Sequence, residues 1–126
     1  EGKDLSIIAV GRMVNEAMAA VKPLAELGVD AEVIDVRSIQ PFDTETVVNS
    51  MKKTHRAVVV HEAVRFGGFG GEIVAQLQEL AFDYLDAPIA RVGAPFSPVP
   101  FSPALEKVYV PNAQSIIAEV KKTLGL

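Results

Sequence analysis

The segment Ala57-Val-Val-Val-His-Glu62, followed by Phe66-Gly-Gly-Phe-Gly-Gly71 and an amphipathic run to Leu85, decides how this chain folds. A short apolar run that ends in polar residues and passes through glycines into helical periodicity reads as strand, turn and helix. In parallel α/β sheets, ligands and partners dock at the turn between a strand's carboxyl end and the next helix. Glycines there let the backbone pass close to another group, and the free N–H groups of a helix start attract anions. The same glycines serve equally to pack a helix tightly on its sheet.

The pattern recurs on both sides of this segment. Leu5 to Val10 is almost wholly apolar, as a strand covered on both faces requires, and Gly11 ends it. Val14, Ala17, Met18, Val21 and Ala25 then recur at helical spacing, with Pro23 expected to kink or loosen that helix and Gly28 to close it. Ala31 to Val36 reads as a second strand, and Arg37 to Pro41 as a connector. Asp43 caps a short helix with Val47, Val48 and Met51 on its apolar face and Lys52 and Lys53 at its cation-favouring end. Ala57 to His61 is the third strand. Ile73, Leu77, Leu80, Ala81 and Tyr84 share a face of the helix after the glycines, and Pro88 to Val92 is the fourth strand.

Pro95, Pro98, Pro100 and Pro103 then form an extended connector unable to join a sheet interior. A last helix starts at Asn112 with Ile116, Ile117, Val120 and Leu124 facing inward. This alternation predicts a single α/β domain over residues 1–126: a three-layer α/β/α arrangement around a mainly parallel, four-stranded sheet.

Composition narrows the function classes. A chain of 126 residues, 49% hydrophobic, suits one domain with a real core. A net charge of -4 with scattered basic residues argues against a nucleic-acid or anionic-membrane surface. The absence of cysteine removes disulfides and thiolate zinc sites and fits a reducing compartment. No apolar run approaches the ~20 residues of a membrane helix. The chain opens on Glu1 and enters a strand almost at once, as a piece of something longer would.

Self-contained chemistry is hard to find. The first turn, Gly11-Arg-Met-Val-Asn15, has one glycine where a dinucleotide fingerprint needs three, and Gly67 to Gly71 lacks the Lys and Ser or Thr of a phosphate loop. His61 and Glu62 are adjacent, so on a strand they face opposite ways and cannot share one metal or one proton relay. His61 reads chiefly as a hydrogen-bonded histidine at a strand end or interface, and His55 as a solvated turn residue. No Gly-x-Ser-x-Gly elbow supplies a nucleophile. No catalytic, cofactor-binding or metal-ligating residue is assigned on these grounds.

Several segments taken together resemble one family. Asp35-Val-Arg-Ser-Ile-Gln-Pro-Phe-Asp43, Lys53-Thr-His-Arg-Ala-Val-Val-Val-His-Glu62, Gly67-Gly-Phe-Gly-Gly-Glu-Ile73, Tyr84-Leu-Asp-Ala-Pro-Ile-Ala-Arg-Val92 and Leu105-Glu106 are similar to the C-terminal domain of the E1 β subunit of 2-oxo acid dehydrogenase complexes. Its wider relatives are the C-terminal domains of transketolase-like enzymes. The resemblance implies a subunit of an oxidoreductase of pyruvate, branched-chain 2-oxo acid or acetoin type. Thiamine diphosphate and magnesium would act in the full enzyme and lie outside this domain, which alone would be inactive.

It also implies partners: an E1 α subunit, a second E1 β subunit and the E2 acyltransferase, in a bacterial cytoplasm or a mitochondrial matrix. His61, Glu62, Gly67, Gly68, Gly70 and Gly71 become candidates for a subunit contact, with packing inside the domain as the other reading of the glycines. Asp86 and the terminal carboxylate of Leu126 become candidates for docking arginines of E2, with a solvated turn as the other reading of Asp86. Relatives usually carry an acid where Phe96 stands here, and the family's sheet has a further antiparallel edge strand upstream, whose absence exposes the edge of the second strand. Two other readings stay open: a free-standing flavodoxin-like module for an anionic or nucleotide ligand, and a transketolase-type domain.

Overall fold

A computed structural model describes residues 1–126. Four strands, β1 (Leu5–Val10), β2 (Ala31–Val36), β3 (Ala57–Val64) and β4 (Ala90–Ala94), form one parallel sheet in the order β2-β1-β3-β4. The helices are α1 (Met13–Glu26), α2 (Thr44–Thr54), α3 (Gly70–Ala81), α4 (Pro103–Tyr109) and α5 (Ala113–Leu124). β2 lies at one edge of the sheet, as expected.

Parallel strands alternate their side chains between two faces that must both be kept from water. Leu5, Ile7, Ala9, Val58, Val60 and Val92 pack with α1 and α5, while Ile8, Ile34, Val36, Val59 and Ala57 pack with α2 and α3. Residues from Leu5 to Ala9 are fully buried, so the central strand sits between both cores. Each fully buried Leu, Ile or Val contributes roughly 1.5–3 kcal/mol relative to an exposed one. Ser6 is the polar exception on β1. Its hydroxyl hydrogen-bonds Ser50 and Thr54 of α2, each at 2.6 Å, and Ser50 in turn donates to Glu32. A buried hydroxyl costs little once its bonds are made this way.

The local signals act as expected at several ends. Asp43 accepts from the Thr46 backbone N–H at 3.0 Å, and Asn112 and Ser115 form a reciprocal capping box at the start of α5. Gly28 takes φ +80 after α1. Other boundaries differ. α1 runs through Pro23, which sits on its exposed side close enough to the end to be tolerated. Its buried stripe is Met13, Ala17, Ala20 and Leu24, not the stripe through Val14, Met18 and Ala25, and Met18 is 58% exposed. Helical spacing fixes that a stripe exists, and packing against β2 and α5 chooses which of two adjacent stripes turns inward.

On α3 the buried set is Ile73, Leu77 and Ala81, whereas Leu80 is exposed and Tyr84 belongs to a separate 3-10 turn, Phe82–Tyr84. β3 extends three residues past His61, and β4 begins at Ala90 rather than Pro88, which lacks an N–H for the ladder. The proline-rich connector contains the unanticipated α4, opened by Pro103 in its first turn, where the missing N–H costs nothing.

The rotated stripe of α1 gives a direct check by chemical denaturation. Leu24→Ala is expected to cost about 2–5 kcal/mol and Met18→Ala within about 0.5 kcal/mol. A larger cost at Met18 than at Leu24 would mean the helix faces the sheet as its sequence alone suggested.

Candidate functional site

At the carboxyl edge, β3 hands over to α3 through residues 65–69, and the sequence candidates converge there on both faces of the sheet. His61 follows Val59 in alternation and points toward α3, while Glu62 points to the opposite face. There Glu62 lies 4.0 Å from Arg12, just before α1, with both side chains at least half exposed. A pair so exposed is worth about 0–1 kcal/mol. It occupies the crevice between β1 and β3, where the order of strands reverses and α/β sheets commonly take ligands. The two residues are thus separated, as their adjacency on a strand requires.

His61 is completely buried, and neither ring nitrogen has a hydrogen-bond partner. The expectation of a hydrogen-bonded histidine is therefore corrected. The ring sits in a cage of glycines: a Cβ on Gly70 would lie 2.3 Å from its Nε2, one on Gly68 2.9 Å from its Cε1, and one on Gly93 of β4 3.0 Å from the same carbon. Phe69 closes the cage with its ring centroid 5.0 Å away. Burial holds the His61 imidazole below its ordinary value, the Ala63 backbone opposes this, and the positive charge of Arg91 adds to it.

The glycines therefore have distinct physical tasks. Gly68 and Gly70 make room for His61 inside the chain, and Gly67 supplies the left-handed turn at φ +70. Gly71 faces the Arg91 guanidinium, whose Nη1 would lie 3.2 Å from an added Cβ. His61 and Gly70 are enclosed by their own chain and offer no surface to a partner, whereas Glu62 and Gly67 are exposed.

His55 also differs from a simply solvated residue. It adopts φ 59 at the end of α2, its Nδ1 lies 2.8 Å from the Tyr84 carbonyl, and its own carbonyl accepts from the Asp86 N–H at 2.9 Å. Asp86 is exposed beside Arg56, with an Oδ2 to Nη2 distance of 3.7 Å. It lies at the amino edge of the sheet. α5 starts at the opposite edge, where Glu16 accepts from the Ala113 N–H at 3.0 Å, and the chain ends on exposed Leu126.

Sequence reasoning missed the connector. Phe96 packs edge-on against Phe66 with centroids 5.0 Å apart, and Tyr109 of α4 donates to the Ser97 carbonyl at 3.1 Å. An aromatic pair thus joins the connector to the glycine loop. Around it Val99, Phe101, Leu105 and Val108 are all exposed, Phe101 completely. The run of apolar residues was visible in the sequence, but only the absence of any covering element makes it a surface. No group of three His, Cys, Asp or Glu side chains comes together as a metal site.

The cage predicts a coupled pair of mutations. Gly70→Val is expected to destabilise the domain by about 1–3 kcal/mol or more through overlap with His61. His61→Ala made in the same chain should recover a large part of that loss in thermal melts, and purely additive costs would refute the contact. The lowered imidazole also sets a pH dependence. Below about 6.5 the unfolded chain binds a proton that the folded chain resists, so stability is full above that pH and falls as pH drops toward the depressed folded value. His61→Phe should flatten this slope in melts between pH 5 and 7 if the imidazole carries it.

Residues 1–116 match the family described as transketolase, C-terminal domain. The chain is 49% identical over 124 residues to the pyruvate dehydrogenase E1 component subunit beta of Staphylococcus aureus, covering 98% of this chain and 38% of that one. It is 42% identical over 125 residues to the acetoin:2,6-dichlorophenolindophenol oxidoreductase subunit beta of Bacillus subtilis, covering 99% and 36%. Among solved structures, a split gene transketolase described as an inactive beta4 tetramer superposes with a TM-score of 0.84 at 34% identity, over all of this chain and 40% of that one. The chain thus spans less than two fifths of the length of these E1 β relatives. With its family matched, its four-stranded parallel fold shared and its resemblance to E1 β subunits upheld, the chain belongs to the transketolase C-terminal domain family.

Proposed function

We propose that this chain is the assembly domain of an E1 β subunit in a 2-oxo acid dehydrogenase complex. Within that enzyme, thiamine diphosphate supplies the decarboxylation chemistry and the acyl group passes to a lipoyl-bearing E2. The observation that carries the reading is the uncovered apolar surface of the connector and α4. Val99, Phe101 and Val108 are 74%, 103% and 84% exposed, more apolar side chain than a protein without a partner at that face has reason to present. Similarity to proteins named as beta subunits supports a multi-subunit E1, in which this reading gives the domain an α subunit and a second β subunit as partners.

This chain's own residues do not fit a diphosphate and magnesium cradle. Magnesium at a diphosphate takes one or two carboxylates together with phosphate and water oxygens, and in the crevice between β1 and β3 the carboxylate present, Glu62, faces Arg12 instead. The cofactor therefore belongs, in this reading, to other parts of the enzyme, and the domain contributes position and rigidity. Relatives from bacteria and a mitochondrial one support a setting in either a bacterial cytoplasm or a mitochondrial matrix. The glycine loop contributes through exposed Glu62 and Gly67, with His61, Gly68, Gly70 and Gly71 shaping the turn from behind. For E2, Asp86 and the Leu126 carboxylate are the proposed socket, and an incoming arginine would displace Arg56 from Asp86.

The full-length β subunit co-expressed with its α partner provides the test. Phe101→Asp together with Val108→Asp should shift the complex to smaller species by light scattering while changing the stability of the domain by no more than about 0.5 kcal/mol. In the unmutated assembly, Asp86→Asn should weaken binding of the E2 subunit-binding domain about tenfold at low salt, with the difference shrinking as salt rises. Unchanged assembly would remove the first proposal, and unchanged binding the second.

A further inference from the structure

Beside the His61 cage, a cleft of about 540 Å³ opens between the β3–α3 loop and the connector, lined by Arg65, Phe66, Arg91, Gly93, Pro95 and Phe96 among others. Its charge is one-sided. Neither Arg65 nor Arg91 has a carboxylate within ion-pair distance, unlike Arg12, Arg37 and Arg56 elsewhere on the chain. The Arg91 guanidinium donates to the Arg65 carbonyl at 3.2 Å, which fixes it against Gly71 in the first turn of α3.

Two guanidinium groups that line one cleft repel each other unless an anion is present. The remaining wall is aromatic. Phe66 and Phe96 stand edge to face with most of each ring exposed to solvent, offering an apolar platform next to the arginines.

We propose that the cleft between the β3–α3 loop and the connector binds a phosphomonoester, its phosphate held by Arg65 and Arg91 and its organic part lying on Phe66 and Phe96. A forked guanidinium suits a phosphate, and the cleft volume falls within the range of small-molecule sites. The inference goes beyond the assembly role and does not depend on it. The sequence concealed it because the phosphate-facing cations come from the end of β3 and from β4, not from a lysine inside the glycine loop.

Titration of the chain with inorganic phosphate, adenosine and adenosine 5′-monophosphate, followed by amide and arginine side-chain NMR, tests the assignment. Phosphate and the monophosphate should saturate shifts at Gly71, Gly93 and the Arg91 Nε, with adenosine alone leaving the Arg91 Nε unmoved. Stacking on Phe66 and Phe96 should make the monophosphate bind at least about fivefold more tightly than phosphate. Arg91→Gln and, separately, Arg65→Gln should each weaken the monophosphate about tenfold, with Lys22→Gln as an unaffected surface control. Arg65 is exposed and its side chain makes no hydrogen bond within the chain, so that variant stays readable even where Arg91→Gln perturbs the loop. Absent saturation, affinity unchanged in both arginine variants, or equal binding of adenosine and its monophosphate would each overturn the proposal.

Discussion

A parallel sheet must be covered on both faces, and in this chain that requirement organises everything else. β1 has no exposed side, so α1 and α5 are recruited to one face of the sheet and α2 and α3 to the other. The connections then run over the two edges, where the carboxyl edge gathers the loops that follow β1, β3 and β4. Arg12, Glu62, the glycine loop, Arg91 and the connector meet there because strand order places them there. Nearness in sequence plays little part.

Within that frame, the tightest local constraint is the fit of His61 into its cage. An imidazole without hydrogen bonds is a costly thing to bury, of order 1–3 kcal/mol for each unsatisfied group. It persists here because Gly68, Gly70 and Gly93 make room for the ring, which packs where α3 meets the sheet. The glycine loop that first reads as a ligand cradle is thus occupied from inside by the protein's own side chain. Any ligand chemistry at this edge has to use the flank of the loop, where Arg65 and Arg91 lie, and any subunit contact has to use its exposed tip.

How much was legible before folding can be judged residue by residue. Asp43 and Asn112 declare their caps because capping is decided within four residues. The four strands, their parallel arrangement and the family likeness follow from apolar runs in a fixed order. The face of α1 does not, since Met18 and Leu24 are equally apolar and only the neighbouring β2 and α5 distinguish them. α4 stayed hidden among prolines, each of which forbids a strand while one, Pro103, starts a helix. His61 was placed on β3 but three residues short of its end, and its lack of hydrogen bonds could not be read, because it depends on how Gly68, Gly70 and Gly93 close round the ring.

The sequence by itself determined the elements, their parallel order and the division of apolar residues between them, because these depend on periodicities of two and 3.6 residues and on short-range capping. Tertiary structure alone decided which stripe of α1 is inside, that His61 is sealed by glycines rather than hydrogen-bonded, that Arg65 and Arg91 stand unpaired on one cleft, and that the connector's apolar side chains remain uncovered. Those outcomes depend on contacts between residues far apart in the chain, and on which groups fail to find a partner, a property no local window of sequence contains.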